Sequence, residues 1–450
     1  MNKSILILLF VSLSFSVFSQ DSTKTVFSLS EAQEYAIQNN NSVQNARLDI
    51  LIAEKKVWET TAIGLPQAST SLGHNYMIDI PVTLIPAKMF NPAAPDDEYM
   101  EMQFGTEQNT KFDFQATQLI FSGEYIVGLK AAKIYKELSE NQLEKSEQDI
   151  YQTVANTYEL VLIAEERKLI IEKNIESTQS IFDDTKAMYE TGFAEETDVN
   201  QLQINISTLN NALVSAERQI EVVKSLLKFQ MNIPLENTIE LSDNLEPLLQ
   251  TINVVELVEK PFDENQHIDF RIIQTQENIQ ELSVKREKST FLPTVSAFYN
   301  HQQNLMSNDF EVFSGGTWHP TNIVGLNISM PIFSSGQRLS KVSQAQIALD
   351  KVQNSKQMVS ENLNLQVIKA RAEFQNAHDK YTVQKENKIL SEKIFNNYQT
   401  KYKNGMASSL ELTQSQLQYI NSEDAYFQSI FELLDAKNKL DIALGIFTIK

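Results

Sequence analysis

Apolar and polar positions alternate with period two in four short stretches and with period 3.5 in much longer ones. In 68–80 the even positions hold Ala68, Thr70, Leu72, His74, Tyr76, Ile78 and Ile80, while the odd ones are mostly polar. In 111–121, Phe112, Phe114, Ala116 and Ile120 oppose Lys111, Asp113, Gln115 and Thr117. In 293–301, Val295, Ala297 and Tyr299 oppose Thr294, Ser296 and Asn300, with Phe298 out of phase. In 322–332, Val324, Leu326, Ile328, Met330 and Ile332 oppose Gly325, Asn327 and Ser329. Such alternation predicts strands with one apolar and one wet face, over about 67–80, 111–121, 293–303 and 321–332. A half-buried sheet in a soluble domain gives the same pattern. Elsewhere, Leu363, Val367, Ala370, Phe374, Ala377 and Tyr381 step by 4, 3, 4, 3 and 4, a coiled-coil seam. Ile430, Leu433, Lys437, Leu440, Leu444 and Phe447 return in similar steps. Polar runs such as 414–418 lie between these stripes, which predicts long antiparallel hairpins with a wet side rather than a broad globular core.

The pattern occurs twice. Tyr189 and Gly192 recur as Tyr402 and Gly405, Gly123 as Gly336 and Phe182 as Phe395, all 213 positions apart. Leu65 and Pro66 recur as Leu292 and Pro293 at an offset of 227, so the intervening segment is 14 residues longer in the first copy. We read a first repeat over 27–233, an inter-repeat linker or equatorial segment over 234–262, and a second repeat over 263–450. Each runs helix, two strands, long helical hairpin, with tips near 189–198 and 402–411. The loops joining the strands, roughly 81–110 and 303–320, are rich in Pro, Gly and acid.

Composition supports helices of unusual length. The 450 residues contain 12 Gly and 11 Pro, and residues 337–403 contain neither, enough for about 100 Å of helix. There is no Cys, which excludes disulfides, thiol catalysis and Cys-ligated metals. The net charge of −20 argues against nucleic acid as a partner. Residues 1–19 read as a secretory signal peptide: Lys3, an apolar run from Ile5 to Phe18, and small residues at the cut. No other stretch offers about 18 uninterrupted apolar residues, so a membrane would be met by strands or by surface docking. Motifs for nucleotide binding, zinc hydrolysis or a nucleophilic serine are missing, the five His are scattered, and paired acids such as Asp183 and Asp184 read as solvated surface. No enzyme, cofactor or metal is expected.

Four strands cannot close a barrel, and lipid does not tolerate open strand edges. Two chains would give eight strands and a filled interior; three would give twelve and a water-filled lumen.

The duplicated helix–strand–strand–helix cassette, Leu-Pro before the strands, Pro331 to Gly336, and two Tyr-x-x-Gly turns each followed by an acid resemble the outer-membrane efflux protein family, the TolC-like channels. The resemblance spans about 27–447. It implies a mainly α fold with a membrane β part: duplicated coiled-coil hairpins forming a helical barrel, and four strands per chain in a shared trimeric 12-stranded outer-membrane barrel. It further implies a homotrimer in outer-membrane lipid, docked through its periplasmic tips onto an adaptor (membrane fusion) protein and an inner-membrane RND, ABC or similar transporter. The expected function is passive export of drugs, toxic compounds or metal ions. A duct for type I protein secretion and a soluble periplasmic coiled-coil scaffold are the alternatives. By the same resemblance Glu411 lines the entrance constriction, while Asp198 and Tyr402 belong to links that hold hairpins closed. Gly192, Phe193, Gly405 and Met406 form the adaptor-docking tips. Two departures bear on gating: Ala407 stands where some members carry an arginine, and Gln414 replaces a second acid.

Overall fold

Long breaker-free runs become long helices here because each helix has a partner along every part of its length. The computed structural model describes residues 26–446 except 251 and 314, so the signal segment and Phe447 lie outside the described residues. In the first repeat, α1 (Leu29–Asn39) and α2 (Asn41–Ile63) lead into strand β2 (Gln67–Tyr76), following the two-residue β1 (Val26–Phe27). A small hairpin, β3 (Val82–Pro86) and β4 (Tyr99–Gln103), precedes β5 (Gln108–Phe121). Helices α3 (Gly123–Glu190) and α4 (Glu196–Gln230) complete the repeat. A middle segment holds β6 (Glu240–Leu241), α5 (Leu245–Gln250) and α6 (Val254–Glu259). The second repeat runs α7 (Ile268–Ser289), β7 (Thr294–Ser307), β8 (Trp318–Ser329), α8 (Gln337–Lys403) and α9 (Ser409–Ala443).

The 68-residue α3 and the 67-residue α8 are each about 100 Å long. Their sheet-proximal parts pack on α2 and α7, and their distal parts on α4 and α9. The seam read from the sequence is the core of α8 and α9: Val367, Ala370, Phe374 and Ala377 bury against Leu433, Leu440 and Leu444. Lys437, on the same stripe, stays half-buried and pairs with Asp441 at 2.9 Å. At mid-height β1 pairs in parallel with β6, and Phe27 packs with Tyr158, Val161, Leu227 and Met231. The Tyr158 hydroxyl donates to the carbonyl of Phe27 at 2.9 Å.

The four long strands form one antiparallel sheet in the order β2-β5-β7-β8. Among the described residues β2 and β8 each have a free edge. Register gathers the apolar positions onto one face: Leu72 opposes Phe112, Ala116 opposes Tyr299, and Tyr299 opposes Val324. Val324, Leu326 and Ile328 are 81%, 69% and 67% exposed, an apolar row no globular core covers. The other face carries Ser69, Ser71, Asp113, Asn300 and Asn327; Asn300 Nδ2 donates to Asp113 Oδ1 at 3.0 Å. Phe298, the residue out of phase, lies over Gly325, whose missing side chain leaves room for the ring. The 14 residues of β5 and of β7 each reach about 46 Å, longer than a bilayer core requires.

Several boundaries differ from the sequence reading. The first strand ends at Tyr76 rather than 80. The third continues to Ser307, because β8 begins at Trp318 and pairs with it as far as Leu305. The fourth stops at Ser329, ahead of Pro331, which cannot donate to a ladder. The expected loop over 81–110 contains the β3–β4 hairpin, in which Val82 pairs with Gln103.

Candidate functional site

The helices leave the sheet at one end only, so the two hairpin turns form the far end of the molecule. Both turns are built alike. In the first, Gly192 has φ +83° and its N–H donates to Tyr189 O at 2.9 Å, while Phe193 N donates to Met188 O at 2.8 Å. In the second, Gly405 has φ +68°, its N–H donates to Tyr402 O at 2.9 Å, and Met406 N donates to Lys401 O at 2.8 Å. A positive φ ending a helix, closed by a bond back across the last turn, is the reason glycine stands there. The turn bonds leave the following side chain outside: Phe193 is 87% exposed and Met406 70%.

The acids six residues on cap the returning helices. Asp198 Oδ2 accepts from Glu195 N at 3.2 Å. Glu411 Oε2 accepts from Ser408 N and from Ser408 Oγ, both at 2.9 Å. Those two donors hold the Glu411 carboxyl below its ordinary pKa. Glu411 itself is exposed, as is Gln414 one turn on.

Asp198 and Tyr402 reach across to the other hairpin. Ser409 Oγ donates to Asp198 Oδ1, joining the first turn to the start of α9. The Tyr402 side chain is buried among Ile181, Leu202, Phe395 and Leu412, and its hydroxyl lies 3.0 Å from Thr185 Oγ1. Burial raises the Tyr402 pKa. Lys403 Nζ pairs with Asp184 Oδ2 at 3.1 Å. Asp184 is exposed, as the sequence suggested, and there makes a surface ion pair across to the other hairpin; nothing on α3 alone marks that partner, which is 219 positions away. The structure therefore brings Asp198 and Tyr402 into one tip cluster, keeps Glu411 in its own cap, and leaves Phe193 and Met406 projecting.

This cluster ends a longer polar line. Along α3 and α9, Asn438 Nδ2 donates to Glu159 Oε2 at 2.9 Å, and Arg167 pairs with Asp424 at 2.8 Å. Asn174 Nδ2 donates to Glu423 Oε2 at 2.8 Å, and Gln416 Nε2 to Thr178 Oγ1 at 2.5 Å. Ser415 and Gln416, within the run expected to face water, are buried. Each hairpin is closed on itself by apolar side chains, and between the two hairpins these hydrogen bonds run beside apolar clusters, Ile163 against Phe427, Ile430 and Leu434, and Ile181 and Leu202 against Phe395 and Leu412.

A sheet with an outward apolar face and two open edges, carried on hairpins of about 100 Å, defines a membrane-anchored channel subunit rather than a catalyst. Family comparison makes this specific. The chain belongs to the outer membrane efflux protein family, whose sequence pattern matches residues 33–224 and 269–446. Among solved structures it is similar to the outer membrane protein VceC from Vibrio cholerae, at 14% identity and TM-score 0.71, covering 93% of this chain and 96% of that one. It is similar to CusC at 15% identity and TM-score 0.73, covering 96% and 95%. It is also similar to the CmeC outer membrane channel of Campylobacter jejuni at 18% identity and TM-score 0.67, covering 93% and 85%. Comparison with curated proteins gives no match. The protein is an outer-membrane efflux channel with a long periplasmic helical extension.

Proposed function

We propose that three copies join edge to edge, β2 of one to β8 of the next, to make a twelve-stranded pore that continues into a periplasmic helical tube. The carrying observation is the sheet itself: four long strands, a continuous apolar face, and two unpaired edges that lipid does not tolerate. Its polar face would then line a wet lumen. The tube is the exit duct of a tripartite export system. It passively conducts drugs, toxic compounds or metal ions handed over by an inner-membrane transporter.

On this reading the domains are two repeats, 27–233 and 263–450, around a mid-height segment at 234–262, with the signal at 1–19. Exposed Phe193 and Met406, set out by Gly192 and Gly405, dock a periplasmic adaptor. Glu411 of each copy forms an acidic ring at the entrance, where like charges in a narrow mouth favour cations. Asp198 and Tyr402 belong to the closing contacts between hairpins. Ala407 offers no cation for a salt-bridge latch, so those contacts are hydrogen bonds and the Asp184–Lys403 pair.

The test is reconstitution of the purified mature protein. Chemical crosslinking in detergent should give a trimer, and planar bilayers should show discrete conductance with cation preference. A monomer that needs no detergent would overturn the proposal.

A further inference from the structure

Two carboxylates lie buried on the line between the hairpins without a cation to balance them. Glu159 of α3 is 5% exposed and Glu423 of α9 is 4% exposed. Asn438 donates to the first and Asn174 to the second, and neither acid has an ion-pair partner among the described residues. Oε1 of Glu423 is buried with no hydrogen-bond partner. Both sit where α3 meets α9, so each is covered only while the two hairpins stay packed. An uncompensated buried carboxylate is costly, and two responses relieve it: taking up a proton, or parting the walls to admit water.

The charged surroundings decide between them. Around Glu159, α9 presents Lys437, Asp435 and Asp441 besides Asn438, and Lys437 is already paired with Asp441. Around Glu423, α9 contributes Tyr419, α3 contributes Asn174, and α8 contributes Lys388 and Glu392. The neighbouring Arg167 is held by Asp424. Lys437 and Lys388 favour the ionised forms of Glu159 and Glu423 from a distance, but neither lysine makes an ion pair with its buried carboxylate among the described residues. Burial is the largest influence on both, raising Glu159 to about 7 and Glu423 above its ordinary value.

We propose that the α3–α9 contact is a proton-operated fastener between the two hairpins of each chain, tight when Glu159 and Glu423 are protonated and loosened when they ionise. The sign follows from linkage. A carboxyl whose pKa rises on packing favours the packed state as pH falls, and loses that contribution as pH climbs through the raised value. For Glu159 the contribution fades between the ordinary carboxylate value of 4.5 and about 7, and is spent once the pH exceeds the raised value. The outer-membrane conduit would then stiffen in an acidified periplasm and relax in a neutral one.

The chain has no cysteine, so a pair of spin labels can be placed cleanly. Exposed Gln179 on α3 and Gln418 on α9 suit the purpose. Distances between Q179C and Q418C labels in the detergent-solubilised full-length protein would be measured by pulsed electron resonance from pH 5.5 to 8.5. The expected result is a narrow, short distribution at low pH that broadens and lengthens as the pH rises towards 7 and changes little above it. E159Q combined with E423Q should stay narrow throughout; each single variant should shift or shrink the transition. An unchanged wild-type distribution, or a transition that persists in the double variant, would overturn the proposal. Bilayer conductance recorded on the same samples separates this from the channel reading, which stands if the pores conduct while the labels do not move.

Discussion

Removing the Tyr402 hydroxyl tests whether the tip cluster holds the channel shut. Tyr402→Phe keeps the ring among Ile181, Leu202, Phe395 and Leu412, so packing is conserved and only the 3.0 Å bond to Thr185 Oγ1 is lost. Thr185 Oγ1 still donates to Ile181 O at 2.8 Å, so no donor is stranded. The loss is therefore near the ordinary net worth of a hydrogen bond, about 1 kcal/mol per chain. If three tips open together, the closed state loses about 3 kcal/mol, which multiplies the open-to-closed ratio by roughly 150. Single-channel recording in planar bilayers reads this ratio directly. Thr185→Val should act through the same bond, so the double variant should match either single one, with a coupling of about 1 kcal/mol per chain. Open probability unchanged in Y402F, or effects that simply add in the double variant, would remove this bond from the closing contacts.

Other consequences are as direct. Val324→Arg places a charge on the apolar face of β8 and should cost about 2–4 kcal/mol and abolish membrane assembly, while Asn327→Arg on the opposite face should assemble normally; outer-membrane yield and heat-resistant oligomer on gels report both. Glu411→Gln should weaken cation preference in reversal-potential measurements, most clearly at low salt, and leave assembly intact. Phe193→Asp together with Met406→Asp should preserve bilayer conductance yet abolish export in cells, measured as substrate accumulation. Phe374→Ala empties a fully buried site between α8 and α9 and should cost about 3–5 kcal/mol, visible as a lowered melting temperature in detergent.

The amino-acid sequence carried the architecture because its signals are periodic and doubled. Leu363 to Ala377 announce their burial by spacing alone, and matched landmarks 213 positions apart align the two tips. The β3–β4 hairpin was hidden by Pro81, Pro86, Pro92 and Pro95, which read as loop punctuation, although Val82, Leu84, Met100 and Met102 alternate. The polar line between hairpins was illegible for another reason. Asn174, Thr178 and Gln416 look like the wet face of a helix, and only their pairing over more than 200 positions shows that they are buried. For the same reason Asp184 gave no sign of Lys403, whereas the turn glycines were plain because their constraint is local.

The 14 extra residues of the first strand-to-strand connection have a consequence for symmetry. In a three-copy assembly the periplasmic end would present six sockets of nearly identical backbone, since both turns share the same bonds. The outer rim would instead alternate three tall crests bearing the β3–β4 hairpin with three low ones. A partner inside the cell envelope would count six equivalent berths, while a phage or antibody arriving from outside would meet only three.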